Sequence, residues 1–111
     1  MNTLGEKHCI PCSGKTPRLA SAQIEALRPQ LHEAWRVMED HHLTREYSMA
    51  DFKSALAFVN DVGGLAEEEG HHPDLFFAWG KVKITLFTHA IDGLSEADFI
   101  LAAKIDGLEM D

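Results

Sequence analysis

Basic residues are scarce in this chain. Ten Lys and Arg stand against eighteen Asp and Glu, a formal net charge of −8 over 111 residues. A nucleic-acid surface needs a basic patch or stripe to neutralise phosphates, so nucleic acid is not expected as a direct partner. An anionic membrane surface is excluded on the same ground. Long apolar runs are also missing. The longest are about five residues, as in Ala55 to Val59, against the roughly 20 that a membrane-spanning helix requires. The opening MNTLGEKHC has neither an apolar stretch nor a cleavage-site pattern, so no secretory leader is expected. Only two cysteines occur, Cys9 and Cys12. They are too few for a disulfide framework, and a cytoplasmic location, where thiols stay reduced, is the expectation. A hydrophobic content of 45% and a charged content of 25% suit a single compact domain.

Residues 1 to 20 read as a flank, broken by Gly5, Pro11, Gly14 and Pro17. Its one motif is CIPC, Cys9 to Cys12. Such a pair is half of a zinc site, with His8 as a conceivable third ligand, or a redox pair, or simply part of a loosely packed tail. No second pair follows and no strand precedes it.

The domain then runs from 21 to 111. Ser21 is placed to cap a short helix, AQIEALRPQL, weakened near its end by Pro29. Residues 34 to 39 and 43 to 48 alternate as strands around a turn at Asp40, His41 and His42, with Leu43, Arg45 and Tyr47 sharing one face. Ser48 and Asp51 fit a capping box, and Phe52, Ala55, Leu56, Val59, Val62 and Ala66 follow at helical spacing to about Glu69. Phe58 and Leu65 fall off that stripe, which suggests a contact with a second copy. After Pro73 the period changes to two. Asp74 to Trp79 and Lys81 to Thr88 form a second hairpin about Gly80, with Val82, Ile84 and Leu86 on one face and Lys83, Thr85, Phe87 and His89 on the other. Ser95 caps a last helix with Asp98 at its third position, and Phe99, Ile100, Ala103 and Leu108 supply its buried side. The order α-β-β-α-β-β-α implies an α+β domain, a four-stranded antiparallel sheet with three helices on one face.

Seven histidines are present, and they are not equivalent. His8 and His32 read as solvated, and His41-His42 as polar residues of a hairpin turn. His71-His72 is held between Gly70 and Pro73 at a helix-to-strand junction. The proline pushes His72 toward extended backbone, where neighbouring side chains point opposite ways. That geometry disfavours a single metal ion held by both, and leaves a solvated junction or an acid–base site. His89 shifts the balance toward catalysis. It shares a strand face with Lys83 and Thr85 rather than with the aliphatic stripe, and a hairpin brings its outer ends together. Three imidazoles at one mouth, with Trp79 and Phe87 as flat surfaces, suit proton transfer on a planar heterocycle.

These residues resemble the signature of the pterin-4a-carbinolamine dehydratases. Glu67 is followed by three residues and then His71, His72 and Pro73. Five residues lead to Trp79, nine more to His89, and eight more to Asp98. The likeness extends over LAFVN, EEEGHHPDL, GKVKITLFTH and GLSEADFILAAKID, about residues 21 to 109. The resemblance implies a hydro-lyase that dehydrates 4a-hydroxytetrahydropterin to quinonoid dihydropterin, recycling tetrahydropterin after an aromatic amino acid hydroxylase has turned over. It implies no metal and no bound cofactor, and a homodimer or homotetramer. It makes His71, His72 and His89 catalytic, with Glu67, Pro73, Trp79 and Asp98 as substrate-binding or supporting residues. It also implies two alternatives: a dimerisation and transcription-coactivator module, and a pterin-related role in molybdenum cofactor metabolism.

Overall fold

The computed structural model describes residues 4–9 and 13–108. Three helices and four strands follow in the expected order: α1 (Ser21–Leu27), β1 (Arg36–Met38), β2 (His42–Ser48), α2 (Phe52–Glu69), β3 (Asp74–Ala78), β4 (Lys81–Leu86) and α3 (Glu96–Asp106). The strands form one antiparallel sheet in the spatial order β1-β2-β4-β3, so the two hairpins meet along β2 and β4. None of the described helices is long and apolar enough to cross a membrane.

Register explains which face is buried. Leu43 lies opposite Leu86, Arg45 opposite Ile84, and Tyr47 opposite Val82. On the other side of β4, Leu75 lies opposite Ile84 and Phe77 opposite Val82. These residues share one face and pack with Ala55, Phe58 and Val62 of α2 and Phe99, Leu101 and Ile105 of α3. The opposite face carries exposed Glu46, Lys81, Lys83 and Phe76.

Several local expectations shift. The cap of α1 is Ala20, whose N–H is met by Gln23 Oε1 at 2.8 Å, while the Ser21 hydroxyl donates to Asp40 instead. The first strand is shorter than its alternation suggests, because Trp35 leaves the sheet to become a buried side chain beside α3. Ser48 ends β2, and Asp51 alone caps α2 by accepting from the Ser54 N–H at 2.8 Å. That bond holds the Asp51 carboxyl below its ordinary pKa.

The apolar stripe of α2 is rotated. Ala55, Phe58, Val62 and Ala66 face the core, with the Phe58 ring tilted against Tyr47 at a centroid distance of 4.6 Å, while Phe52 and Leu56 are exposed. Phe58 is therefore core, not a surface for a second copy. In α3, Leu101, Ala102 and Ile105 join Phe99 and Ile100 as fully buried, so the helix is apolar around most of its girth.

The flank is not a loose tail over its described part. Leu4 is buried in the core at 2% exposure, within a 3₁₀ turn (Leu4–Glu6) against α3. The Cys9 N–H donates to Glu69 Oε1 at 3.0 Å, which holds that carboxyl below its ordinary pKa, and Lys104 stands 3.8 Å from the other oxygen. Cys12 lies outside the described residues.

Arg45 is the one charged residue among the inward-facing side chains of β2, and it is resolved by α3. Asp106 accepts from Arg45 Nη1 at 2.8 Å, from Trp35 Nε1 at 2.8 Å and from the His32 N–H at 2.9 Å. A buried guanidinium that loses its carboxylate costs about 3 kcal/mol or more. In a chain of this size, that lowers Tm by about 12 °C. Asp106→Ala should show this loss by thermal circular dichroism, with Asp106→Asn losing less. A change within about 2 °C would mean that the triad contributes little.

Candidate active site

The helix α2 ends where the chain must turn back into the sheet. Gly70 sits at φ 67°, its N–H donating to Ala66 O, a left-handed position that favours glycine. His71 follows at once, and its N–H also reaches Ala66 O at 3.2 Å. Its ring is thereby turned inward, where Nε2 meets Asp98 Oδ1 at 2.6 Å, with the carboxylate fully buried. His72 points the other way. It is exposed, and its Nε2 bonds Glu67, one helical turn earlier on α2. The extended backbone ahead of Pro73 produces this divergence.

Asp98 performs two tasks. Its Oδ1 takes His71, while its Oδ2 accepts the Ser95 N–H at 2.9 Å and the Thr88 hydroxyl at 2.8 Å. Thr88 Oγ1 also lies 2.7 Å from Ser95 Oγ. The third residue of the α3 capping box thus also bonds a cleft histidine.

His89 approaches from the third side. Strand β4 stops at Leu86, earlier than the alternation predicts, and His89 opens a 3₁₀ turn (His89–Ile91). The turn is pinned at its base by Thr88 and Gly93, paired through Thr88 N–H to Gly93 O at 2.8 Å. The Arg18 side chain packs over Gly93, where a Cβ would fall 2.8 Å from it, and donates to Ile91 O at 2.6 Å. The His89 ring stacks on Phe87, with centroids 4.1 Å apart, and its Nε2 lies 3.6 Å from Asp74 Oδ1. At that distance the two groups face each other without a direct hydrogen bond.

His71, His72, Pro73 and His89 line one open cleft of about 420 Å³, together with Gly70, Asp74, Phe87, Thr88 and Ala90. That size is within the range of small-molecule sites. Glu67 and Asp98 do not line the cleft, but each is bonded to one of its histidines. Trp79 stands elsewhere: it is 73% exposed at the turn of the β3–β4 hairpin. It stands five residue steps along the strand from Asp74, roughly 16 Å. Phe87 lines the cleft as the flat surface expected of it, and Asp74 and Thr88 line it without having been singled out by any motif. The signal was their adjacency to Pro73 and His89. Among the described residues, no three His, Cys, Asp or Glu side chains converge as a metal ion would need.

The family model for pterin 4 alpha carbinolamine dehydratase matches residues 17–108. The chain belongs to that family. A relative from Alkaliphilus metalliredigens is 61% identical over 106 residues, covering 96% of each chain, and one from Rubrobacter xylanophilus is 52% identical over 108 residues, covering 97% of this chain and all of the other. Both carry the name pterin-4-alpha-carbinolamine dehydratase, a hydro-lyase, as a provisional assignment. Among solved structures, a transcriptional coactivator/pterin dehydratase from Brucella melitensis superposes with a TM-score of 0.76 at 29% identity, over 83% of this chain and 98% of its own. A pterin dehydratase-like protein identified as a RuBisCO assembly factor in the alpha-carboxysome gives 0.58, also at 29% identity, over 69% and 90%.

The two tasks of Asp98 can be separated by Asp98→Asn. An amide oxygen still accepts from Ser95 and Thr88, but its NH₂ then faces His71. The ring must present a bare Nε2 and carry its proton on Nδ1. Nitrogen NMR should show His71 switching from the Nε2–H to the Nδ1–H tautomer. An unchanged tautomer would contradict the assigned geometry.

Proposed function

We propose that this chain is a cytoplasmic hydro-lyase that dehydrates 4a-hydroxytetrahydropterin to quinonoid dihydropterin, using histidine acid–base catalysis. The observation that carries the reading is a single cleft onto which three imidazoles open, each faced by its own carboxylate: His71 by Asp98, His72 by Glu67, His89 by Asp74. Hydroxide leaves poorly unless protonated. In the reaction a proton is delivered to the C4a hydroxyl, the C4a–O bond breaks, water departs, and the N5 proton is taken up by a base. The balance is the loss of one water. A carboxylate hydrogen-bonded to Nε2 favours the Nε2–H tautomer, which in His72 leaves Nδ1 for the substrate. The same ring, once protonated, is the acid. Histidine titrates ordinarily near 6.5, so both forms are populated near neutral pH, and each such transfer contributes roughly 10²–10⁴-fold.

His72 and His89 are the exposed members and carry the proton transfers, while the buried His71 fixes the cleft wall between them. The reaction follows turnover of an aromatic amino acid hydroxylase, which generates the carbinolamine. Coactivation and RuBisCO assembly, named for two structural relatives, are the competing readings. The complete three-histidine set favours catalysis here.

His72→Ala should lower the dehydration rate at least tenfold, about 1.4 kcal/mol of transition-state stabilisation. His89→Ala should act on the same step, and the double variant should lose less than the product of the singles. The assay is ultraviolet absorbance on a hydroxylase-generated carbinolamine. Wild-type rates in both variants would remove the site from this cleft. A strong chelator should leave the wild-type rate intact, and a collapse restored by zinc or iron would overturn acid–base catalysis by these residues alone.

A homodimer or homotetramer is part of the same proposal. Phe52 and Leu56 on α2, exposed at 46% and 40%, supply apolar surface, and β1 and β3 leave open sheet edges. Light scattering at micromolar concentration should give a multiple of the monomer mass. A monomer would count against it.

A further inference from the structure

The turn that carries His41 reaches the far side of the cleft's histidine loop. Glu39 and Asp40 both adopt left-handed backbone, at φ 55° and 54°, without being glycine, and Asp40 is tied down by the Ser21 hydroxyl at 2.5 Å. Non-glycine residues hold such conformations when their surroundings enforce them. The result is that His41, only half-buried, projects onto β4 and the loop beyond it. Its ring lies 4.8 Å from Phe87, and its Nε2 stands 2.7 Å from Asp92 Oδ1.

Those two partners bracket His89. Phe87 is the ring on which His89 stacks, and Asp92 ends the turn that His89 begins, its N–H donating to His89 O at 3.2 Å. Asp92 is itself left-handed at φ 49°. One side chain, distant in sequence, therefore touches both the platform beneath His89 and the residue that closes its turn. We propose that His41 is a positioning residue for His89, acting through the Phe87 ring and the Asp92 carboxylate. The inference rests on the assignment of His89 to the dehydration step.

The charges around this cluster decide the sign of the expected effect. His89 is faced by Asp74 of β3 and Asp92 of its own turn, and Asp92 by His41 and Arg18. His42, whose Nδ1 lies 3.0 Å from His41 Nδ1, is near Glu39 and Lys83. Asp92 is held below its ordinary pKa chiefly by the hydrogen bond from His41. Removing His41 takes away the hydrogen-bonded partner of the Asp92 carboxylate and leaves it to Arg18 and His89, which favours the imidazolium of His89. The pH-rate limb that reports His89 should then move to higher pH.

The experiment is the pH profile of kcat and kcat/KM for wild type, His41→Ala, His41→Gln, His89→Ala and the double variant His41→Ala/His89→Ala, with folding checked by circular dichroism. His41→Ala should lower kcat about tenfold, with KM changed less, and shift the limb upward. Gln retains a donor near the Nε2 position, so His41→Gln should recover part of the rate and restore the limb. In the His89→Ala background, His41→Ala should cost no more than about twofold, because nothing remains to position. A full further loss in that background would mean a general structural role and overturn the proposal. So would a His41→Ala enzyme with wild-type rate and profile while His89→Ala is impaired. If His89→Ala is itself unimpaired, it is the dehydratase assignment of His89 that fails, and this inference falls with it.

Discussion

Asp98 offers two carboxylate oxygens to three partners that come from three different segments. His71 belongs to the junction entering β3, Thr88 to the end of β4, and Ser95 to the start of α3. A fully buried charge is costly unless every lone pair is met, so this carboxylate holds the three segments in one arrangement or not at all. Two of them carry or adjoin the cleft's histidines. The cleft and the last helix are therefore joined at a single buried carboxylate.

Around that point, the molecule is built from contrasts of face. The sheet gives its aliphatic side to the helices and leaves the other to lysine, glutamate and an exposed phenylalanine. The single inward-facing charge of β2, Arg45, is matched by Asp106, which α3 supplies at its far end. The helix α3 thus carries a structural aspartate at each end, Asp98 toward the cleft and Asp106 toward Trp35 and Arg45. Its nearly uniform apolar girth follows from being wedged between these anchors, the sheet and the N-terminal turn.

Much of this was legible in the residues. Period-two alternation in 81–86 and helical spacing in 52–69 are strong signals because burial alone produces them. The buried stripe of α2 is less legible, since Phe52 and Leu56 match helical spacing as well as Phe58 does. Only the position of Tyr47 on the sheet decides between them. The histidine cleft was legible because its residues flank one hairpin, and hairpin ends meet by geometry. Trp79 fits the same motif spacing, yet spacing does not report which end of a hairpin a residue occupies. The roles of Asp92 and His41 were not legible either, because their contact spans 51 residues and depends on two left-handed turns that no glycine announced.

The position of Trp79 has an optical consequence. The chain has two indoles in opposite surroundings: Trp35 is 1% exposed with its Nε1 bonded to Asp106, and Trp79 is 73% exposed at the hairpin tip. Buried and hydrated indoles emit at different wavelengths and differ in their access to collisional quenchers. The native emission is accordingly a sum of two separable signals. Acrylamide removes the hairpin tip's share and leaves Trp35 as a nearly pure reporter of the α3 core, so the fluorescence of the unlabelled chain distinguishes events at the sheet's outer end from loss of the fold.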